Sequence, residues 1–264
     1  MIKKLSIVIP GVRTHNWEKL YNSIANSCKN YTFEVIFGSP KKLPDVFENK
    51  SNVKFVRDFG SVSRVLQMSA LLAEGEYVTW IFDDGVVRED ELDNCIQFIE
   101  NQVDKCIVGM KYTEGVDFQP DMRAFVDEYW TAWHHLDLQL PGIERHWKLP
   151  IHMLMNTKHF TQLGGLNCKM EHANMNLHDL GFRAQRDGFE VHISKNFVID
   201  YNIRHGRTVE NSNVIAAYYQ NDKPMFQEMY LKPQTNVPAS INYDNWKEMP
   251  CVWERGKLGT FDME

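Results

Sequence analysis

The chain has 264 residues, 43% of them hydrophobic and 24% charged, which is ample for a packed core and excludes a disordered, collagenous or coiled-coil protein. Its 29 Lys and Arg against 35 Asp and Glu give a formal net charge of −6. No global positive field is available, which argues against a nucleic-acid partner.

The N-terminal MIKKLSIVIPG carries about five apolar residues before Pro10, short of the ~7–15 of a secretory segment and the ~18 of a membrane span. No longer apolar run follows, so the expectation is a soluble, cytoplasmic chain without a transmembrane segment, with peripheral membrane contact left open. Leu5–Ile9 predicts a buried strand stopped by Pro10-Gly11. Trp17, Leu20, Tyr21, Ile24 and Cys28 share one helical face, with Asn16 or Thr14 as N-cap. Phe33–Phe37, Val53–Val56 and Tyr77–Phe82 predict three further strands. Gly60 opens a helix through Ala73, and Glu89, Asp90 and Glu91 begin another, where acidic side chains suit the positive end of the helix dipole.

This rhythm predicts an α/β fold: a mostly parallel central sheet flanked by helices. In such sheets ligands bind beyond the carboxyl ends of the strands. The loops at Pro10–His15, Gly38–Pro40, Arg57–Arg64 and Asp83–Gly85 are therefore the candidate site. The second half is less regular. Asp121–His135 predicts a helix, Ile151–Met155 a strand, and Thr157 the cap of a short helix ending at Gly164-Gly165. A Met/Asn/His-rich loop, a helix over Asp179–Arg186 and a strand over Phe189–Ile193 follow. With no internal repeat, the expected organisation is one domain over 1–207, with a nucleotide half at 1–115 and an acceptor half at 116–207. Residues 208–264 form an extension packed on the core.

Five cysteines, Cys28, Cys95, Cys106, Cys168 and Cys251, include no CxxC pair, so neither a zinc ribbon nor a thioredoxin-type motif is available. His134 and His135 lack an HExxH frame, the Gly60 loop lacks the GK[ST] of a P-loop, and no GxSxG elbow occurs. Asp83 and Asp84, at a strand end, offer hard oxygen donors for Mg²⁺ or Mn²⁺, a metal that neutralises a departing diphosphate. The same pair also reads as a solvated Asp-Gly turn. Trp133 could stack on a sugar at an acceptor site or simply pack within its helix.

The segments Ser6–Pro10, Ala73–Tyr77 and Phe82–Asp84, then Phe160–Leu166 and His178-Asp179 with LGFRAQRDGFEV, resemble in this order the inverting family 2 glycosyltransferases of GT-A fold. The resemblance spans residues 5 to 207. It implies a sugar displaced from a nucleotide-diphospho-sugar by a glycan, lipid-linked or other hydroxyl acceptor, with Mn²⁺ or Mg²⁺ as cofactor. It implies Asp179 as the general base, favoured by a place near the start of its helix. Asp84, Asp83 and His205 become the metal ligands, while Arg204 and Arg207 alternatively meet the diphosphate. Pro10, Gly11, Arg13, Ser39, Arg64 and Asp83 become donor contacts, and Gly164 and Gly165 lie on the acceptor side. Two positions depart from the family pattern: Gly38-Ser39 stands where an Asp reads the base, and Phe82 replaces the first Asp of the acidic motif. A nucleotidyltransferase of similar layout and a non-catalytic nucleotide- or glycan-binding module are the alternatives; PGVRTHN has one Gly and so disfavours the first.

Overall fold

The computed structural model describes residues 4–114, 148, 150–201, 216–230 and 237–249. The expected helix over Asp121–His135, with Trp133, and the segment bearing Arg204, His205 and Arg207 lie outside the described residues, as does Cys251.

Eight strands form one sheet: β1 (Leu5–Pro10), β2 (Phe33–Ser39), β3 (Val53–Arg57), β4 (Tyr77–Trp80), β5 (Gly85–Val87), β6 (Cys106–Glu114), β7 (Met153–Asn156) and β8 (Glu190–Tyr201). Their spatial order is β3-β2-β1-β4-β7-β6-β8-β5. The first four are mutually parallel, as the apolar runs separated by helices predict. Strand β7 is antiparallel to both β4 and β6, β5 is antiparallel to β8, and β6 runs parallel to β8. The α-helices are α1 (Trp17–Ser27), α2 (Val62–Ala70), α3 (Glu91–Glu100), α4 (Thr157–Gln162), α5 (Ala173–Arg186) and α6 (Lys223–Tyr230).

The core follows from the sequence pattern. All six residues of β1 are buried, and α1 turns Trp17, Leu20, Tyr21 and Ile24 inward. Trp17 stacks on Phe37 of β2 with ring centroids 4.3 Å apart. A second apolar cluster joins Met170, Met175 and Phe182 to Phe226, Tyr230 and Val237, so α6 packs against α5.

Several elements differ from the sequence expectation. Strands β5 and β6 were not foreseen: β5 is three residues long, and β6 mixes apolar residues with Gly109, Lys111 and Thr113. Strand β8 continues to Tyr201 rather than ending at Ile193. Its polar Ser194-Lys195-Asn196 is absorbed where the β6–β8 register shifts, and the Ser194 hydroxyl accepts the N–H of Lys111 at 2.9 Å. Helix α4 is capped by Asn156, whose Oδ1 accepts from Lys158 N at 2.9 Å, rather than by Thr157. Helix α5 begins at Ala173, capped by His172, six residues before the expected start at Asp179. The Met/Asn/His stretch is helical because Met175, Leu177 and Leu180 are buried on it, an apolar face that outweighs the weak propensity of its Asn and His.

Candidate functional site

The parallel strands β1, β2, β3 and β4 send their carboxyl ends to one edge of the sheet. There the ladder continues for one step, with Gly11 N donating to Gly38 O, Asp58 N to Ser39 O and Ile81 N to Val8 O. The loops after β1, β2, β3 and β4 are thereby brought together, as the parallel arrangement requires.

Asp83 is the centre of this edge and is only 2% exposed. Its Oδ2 accepts the backbone N–H groups of Val12 and Arg13, both at 2.7 Å. Its Oδ1 accepts Arg13 Nε at 2.9 Å and also Arg13 Nη2. A Cβ added at Gly11 would collide with the Asp83 side chain, so glycine is needed for the loop to wrap onto the carboxylate. Pro10 ends β1 immediately before this wrap. Asp84 is more open, and its Oδ1 lies 3.2 Å from the same Arg13 Nη2.

Ser39 is fully buried, and its hydroxyl accepts from Lys41 N at 3.0 Å. Beside it, Asp58 holds Arg64 through both oxygens, with Nε at 3.0 Å from Oδ2 and 3.2 Å from Oδ1. Arg64 Nη1 donates to the carbonyls of Trp246 and Met249, each at 2.6 Å. Arg64, expected as a donor contact, is thus committed to internal partners from two stretches of chain.

After α4, Gly164 and Gly165 adopt φ values of +81° and +64°, a left-handed turn that glycine tolerates without strain and that lies against Gln67 of α2 and against Ile241. Arg183 of α5 holds this turn, donating from Nη1 to Leu163 O at 2.6 Å and from Nη2 to Gly165 O. Its Nε donates to Asp179 Oδ2 at 2.8 Å, and Tyr230 of α6 donates its hydroxyl to Asp179 Oδ1. Asp179 and Arg183 are both 0% exposed. Asp179 therefore sits in the second turn of α5, away from the helix start, with both oxygens engaged; the N-terminal position expected to stabilise it belongs to Glu171 and His172 instead. Burial and the neighbouring Asp179 carboxylate push the Tyr230 hydroxyl pKa well up, so it stays a donor.

Sequence reasoning passed over Asp58, Glu171 and Arg183, and placed Tyr230 only in the extension packed on the core. The i,i+4 spacing of Asp179 and Arg183 was the one readable signal among them. Glu171 lies just before α5, is 8% exposed, and its carbonyl accepts from Ser63 N of α2 at 3.5 Å. Phe82 stands over an aromatic cluster, with His152 5.4 Å away and Tyr201 6.4 Å away by ring centroids. His152 is pushed down to about 4 by burial, partly offset by its bond to Trp80 O. Tyr201 accepts the N–H of Phe82 at 3.1 Å, which ties the end of β8 to the acidic loop.

The divalent cation implied by the family resemblance needs lone pairs on Asp83 and Asp84. Both Asp83 oxygens are filled by N–H donors, and the Arg13 guanidinium lies between the two carboxylates. Among the described residues no group of three His, Cys, Asp or Glu is disposed to hold a metal. These residues, as arranged, do not fit the cation.

No protein-family model matches the chain, and no curated protein matches it by sequence. Solved structures do. The chain is similar to residues 1–349 of Staphylococcus aureus TarS, with a TM-score of 0.55 and 15% identity over 83% of this chain. The same protein in complex with UDP gives a TM-score of 0.53. The chain spans 66% of that TarS structure. It is also similar to the catalytic domain of Drosophila beta1,4-galactosyltransferase 7 in complex with xylobiose, at a TM-score of 0.51 and 10% identity, covering 90% of this chain and 83% of that one. A variant of that enzyme in complex with manganese, UDP-Gal and xylobiose matches at a TM-score of 0.50. The fold is that of the GT-A glycosyltransferases.

Proposed function

We propose that the protein is an inverting glycosyltransferase that moves a sugar from a nucleotide-diphospho-sugar to a hydroxyl of a glycan or lipid-linked acceptor. The observation that carries this reading is the closure of the β1 loop on the Asp83-Asp84 pair after β4, with Gly11 of that loop bonded to Gly38 of β2, at the carboxyl ends of the parallel strands. The neighbours in complex with UDP, and with UDP-Gal and xylobiose, support a nucleotide-sugar donor and a glycan acceptor for this chain. Pro10, Gly11, Ser39 and Asp84 line the donor side by their place at the strand ends.

An inverting displacement needs a base for the acceptor hydroxyl and positive charge for the leaving diphosphate. Asp179 is completely buried and each of its oxygens accepts from a neighbour inside the fold, so in this reading it positions the Gly164-Gly165 turn through Arg183. Glu171 takes the base role, because it is a buried acid just before α5, at the positive end of that helix, with its carbonyl against Ser63 N in the first turn of α2. Arg13 supplies positive charge at the acidic loop, and Arg204 and Arg207 follow within six residues of Tyr201. His205 lies in the same stretch. The four described cysteines are buried, unpaired thiols, with Cys28, Cys95 and Cys168 pushed up to about 12 by burial. That fits a reducing, cytoplasmic setting. No helix among the described residues is long and apolar enough to cross a membrane.

A thermal-shift panel of nucleoside diphosphates and nucleotide sugars, followed by detection of the glycosylated product, tests the reading. Stabilisation by one nucleotide class together with transfer is the expected result. Binding without product across the panel would assign the chain to the non-catalytic module instead. For the base, Glu171→Gln is expected to lower turnover by at least about 100-fold with donor binding intact. Wild-type turnover in that variant would refute the assignment.

A further inference from the structure

Arg13 makes more contacts than a loop residue at a ligand edge needs. It wraps Asp83 with its backbone N–H, Nε and Nη2, and Val12 N fills the remaining place on Oδ2. Four N–H donors saturate a carboxylate, which offers about four lone-pair sites. A metal could bind Asp83 only by displacing them. The same Nη2 reaches Asp84 Oδ1 at 3.2 Å, so one guanidinium nitrogen bridges both acids, which is the place a bridging cation takes. The arrangement is built in, because only glycine at position 11 lets the loop lie against Asp83.

We propose that the Arg13 guanidinium replaces a divalent cation between Asp83 and Asp84, so that this acid pair holds no metal when the donor binds. Arg suits the task chemically, since its planar fork matches carboxylate oxygens and stays charged at any working pH. The hydroxyl of Tyr201 is bonded to Phe82 N beside the acid pair, which fixes the loop that carries the two carboxylates. The proposal rests on the nucleotide-sugar reading for its ligand, but its geometry can be tested without one.

The decisive experiment titrates manganese into the whole chain and follows the free-ion signal by electron paramagnetic resonance. Wild type is expected to leave the signal unchanged at sub-millimolar metal, while Arg13→Ala gains a site at least about tenfold tighter, lost again in the Arg13→Ala/Asp84→Asn double variant. Arg13→Lys keeps a cation and is expected to stay silent, which guards against an Arg13→Ala chain that fails to fold. In parallel, the thermal shift caused by a bound nucleoside diphosphate is expected to be the same in EDTA and in manganese. Manganese bound by wild type and lost in Asp84→Asn would overturn the proposal, as would a nucleotide shift abolished by EDTA or a folded Arg13→Ala that gains no site. A chain that binds no nucleotide in either condition refutes the glycosyltransferase reading, and the manganese titration still decides this one.

Discussion

At Asp179 a carboxylate, a guanidinium and a phenol meet with no water between them. The Asp179–Arg183 pair is completely buried, and such a pair holds its place only while every charge and lone pair is answered. Asp179→Ala leaves the Arg183 charge buried without its partner and is expected to cost about 3–5 kcal/mol. Tyr230→Phe removes one donor and leaves Arg183 paired, so about 1–3 kcal/mol is expected. Urea unfolding of the two variants checks the order. Equal costs would mean that the hydroxyl of Tyr230, and not the guanidinium, is the main support of this carboxylate. Pro10, Gly11, Arg13, Ser39 and Asp83 lie at the strand ends where the sequence led them to be expected, but their partners were not readable. Asp83 reads as an exposed acid because nothing in FDDG reveals that Arg13, 70 positions earlier, will close over it.

Helices and strands were legible where one buried face repeats at one period. Helix α1 and strands β1 and β2 show this, since each buries its apolar residues against neighbours set by the parallel order, whereas β3, at the sheet edge, buries its own only in part. Periodicity failed where burial is decided by distant chain. Strand β6 takes its partners from β7 and β8, more than forty residues ahead, and its Gly109 and Lys111 disguise it. Helix α5 is similar: its Asn and His residues suggest a loop until Phe226 and Tyr230 cover its apolar face. Helix ends are subtler still. Thr157 is the better-looking cap of α4, yet its hydroxyl donates to Gly75 O at 2.7 Å, leaving the cap to Asn156. Asn156→Ala is therefore expected to cost about 1 kcal/mol, within the ~0.5–2 range for lost caps, measured as a shift in the urea midpoint. An unchanged midpoint would show that the cap bond adds nothing.

Among the described residues, two buried rings and one buried acid carry large shifts that act on stability in acid. His152 and His172 are both pushed down to about 4 by burial. A histidine with a depressed folded pKa takes its proton first in the unfolded chain, so stability falls as pH drops from 6.5 toward 4. Asp222 opposes this. Burial raises it to about 6, despite the N–H groups of Glu171 and His172 that it accepts, so its contribution grows as pH drops from 6 toward 4. Each shift corresponds to roughly 3 kcal/mol, so the two histidines outweigh the one aspartate. The urea midpoint is expected to fall between pH 7 and pH 4. Replacing His152 by Gln should flatten that fall, and a slope unchanged by the substitution would remove His152 from the account.

Arg64 joins residues that the ribosome produces far apart in time. Its Asp58 partner is made six residues earlier, but the carbonyls of Trp246 and Met249 come 182 and 185 positions later. The strands β1 to β4 can pair while synthesis continues, and the loop from Asp58 to Arg64 must then wait with two N–H groups unanswered. Completion of this edge is thus tied to the arrival of the segment around Trp246, which makes the loop from Asp58 to Arg64 late to lock, and the first to loosen in any chain cut before Trp246.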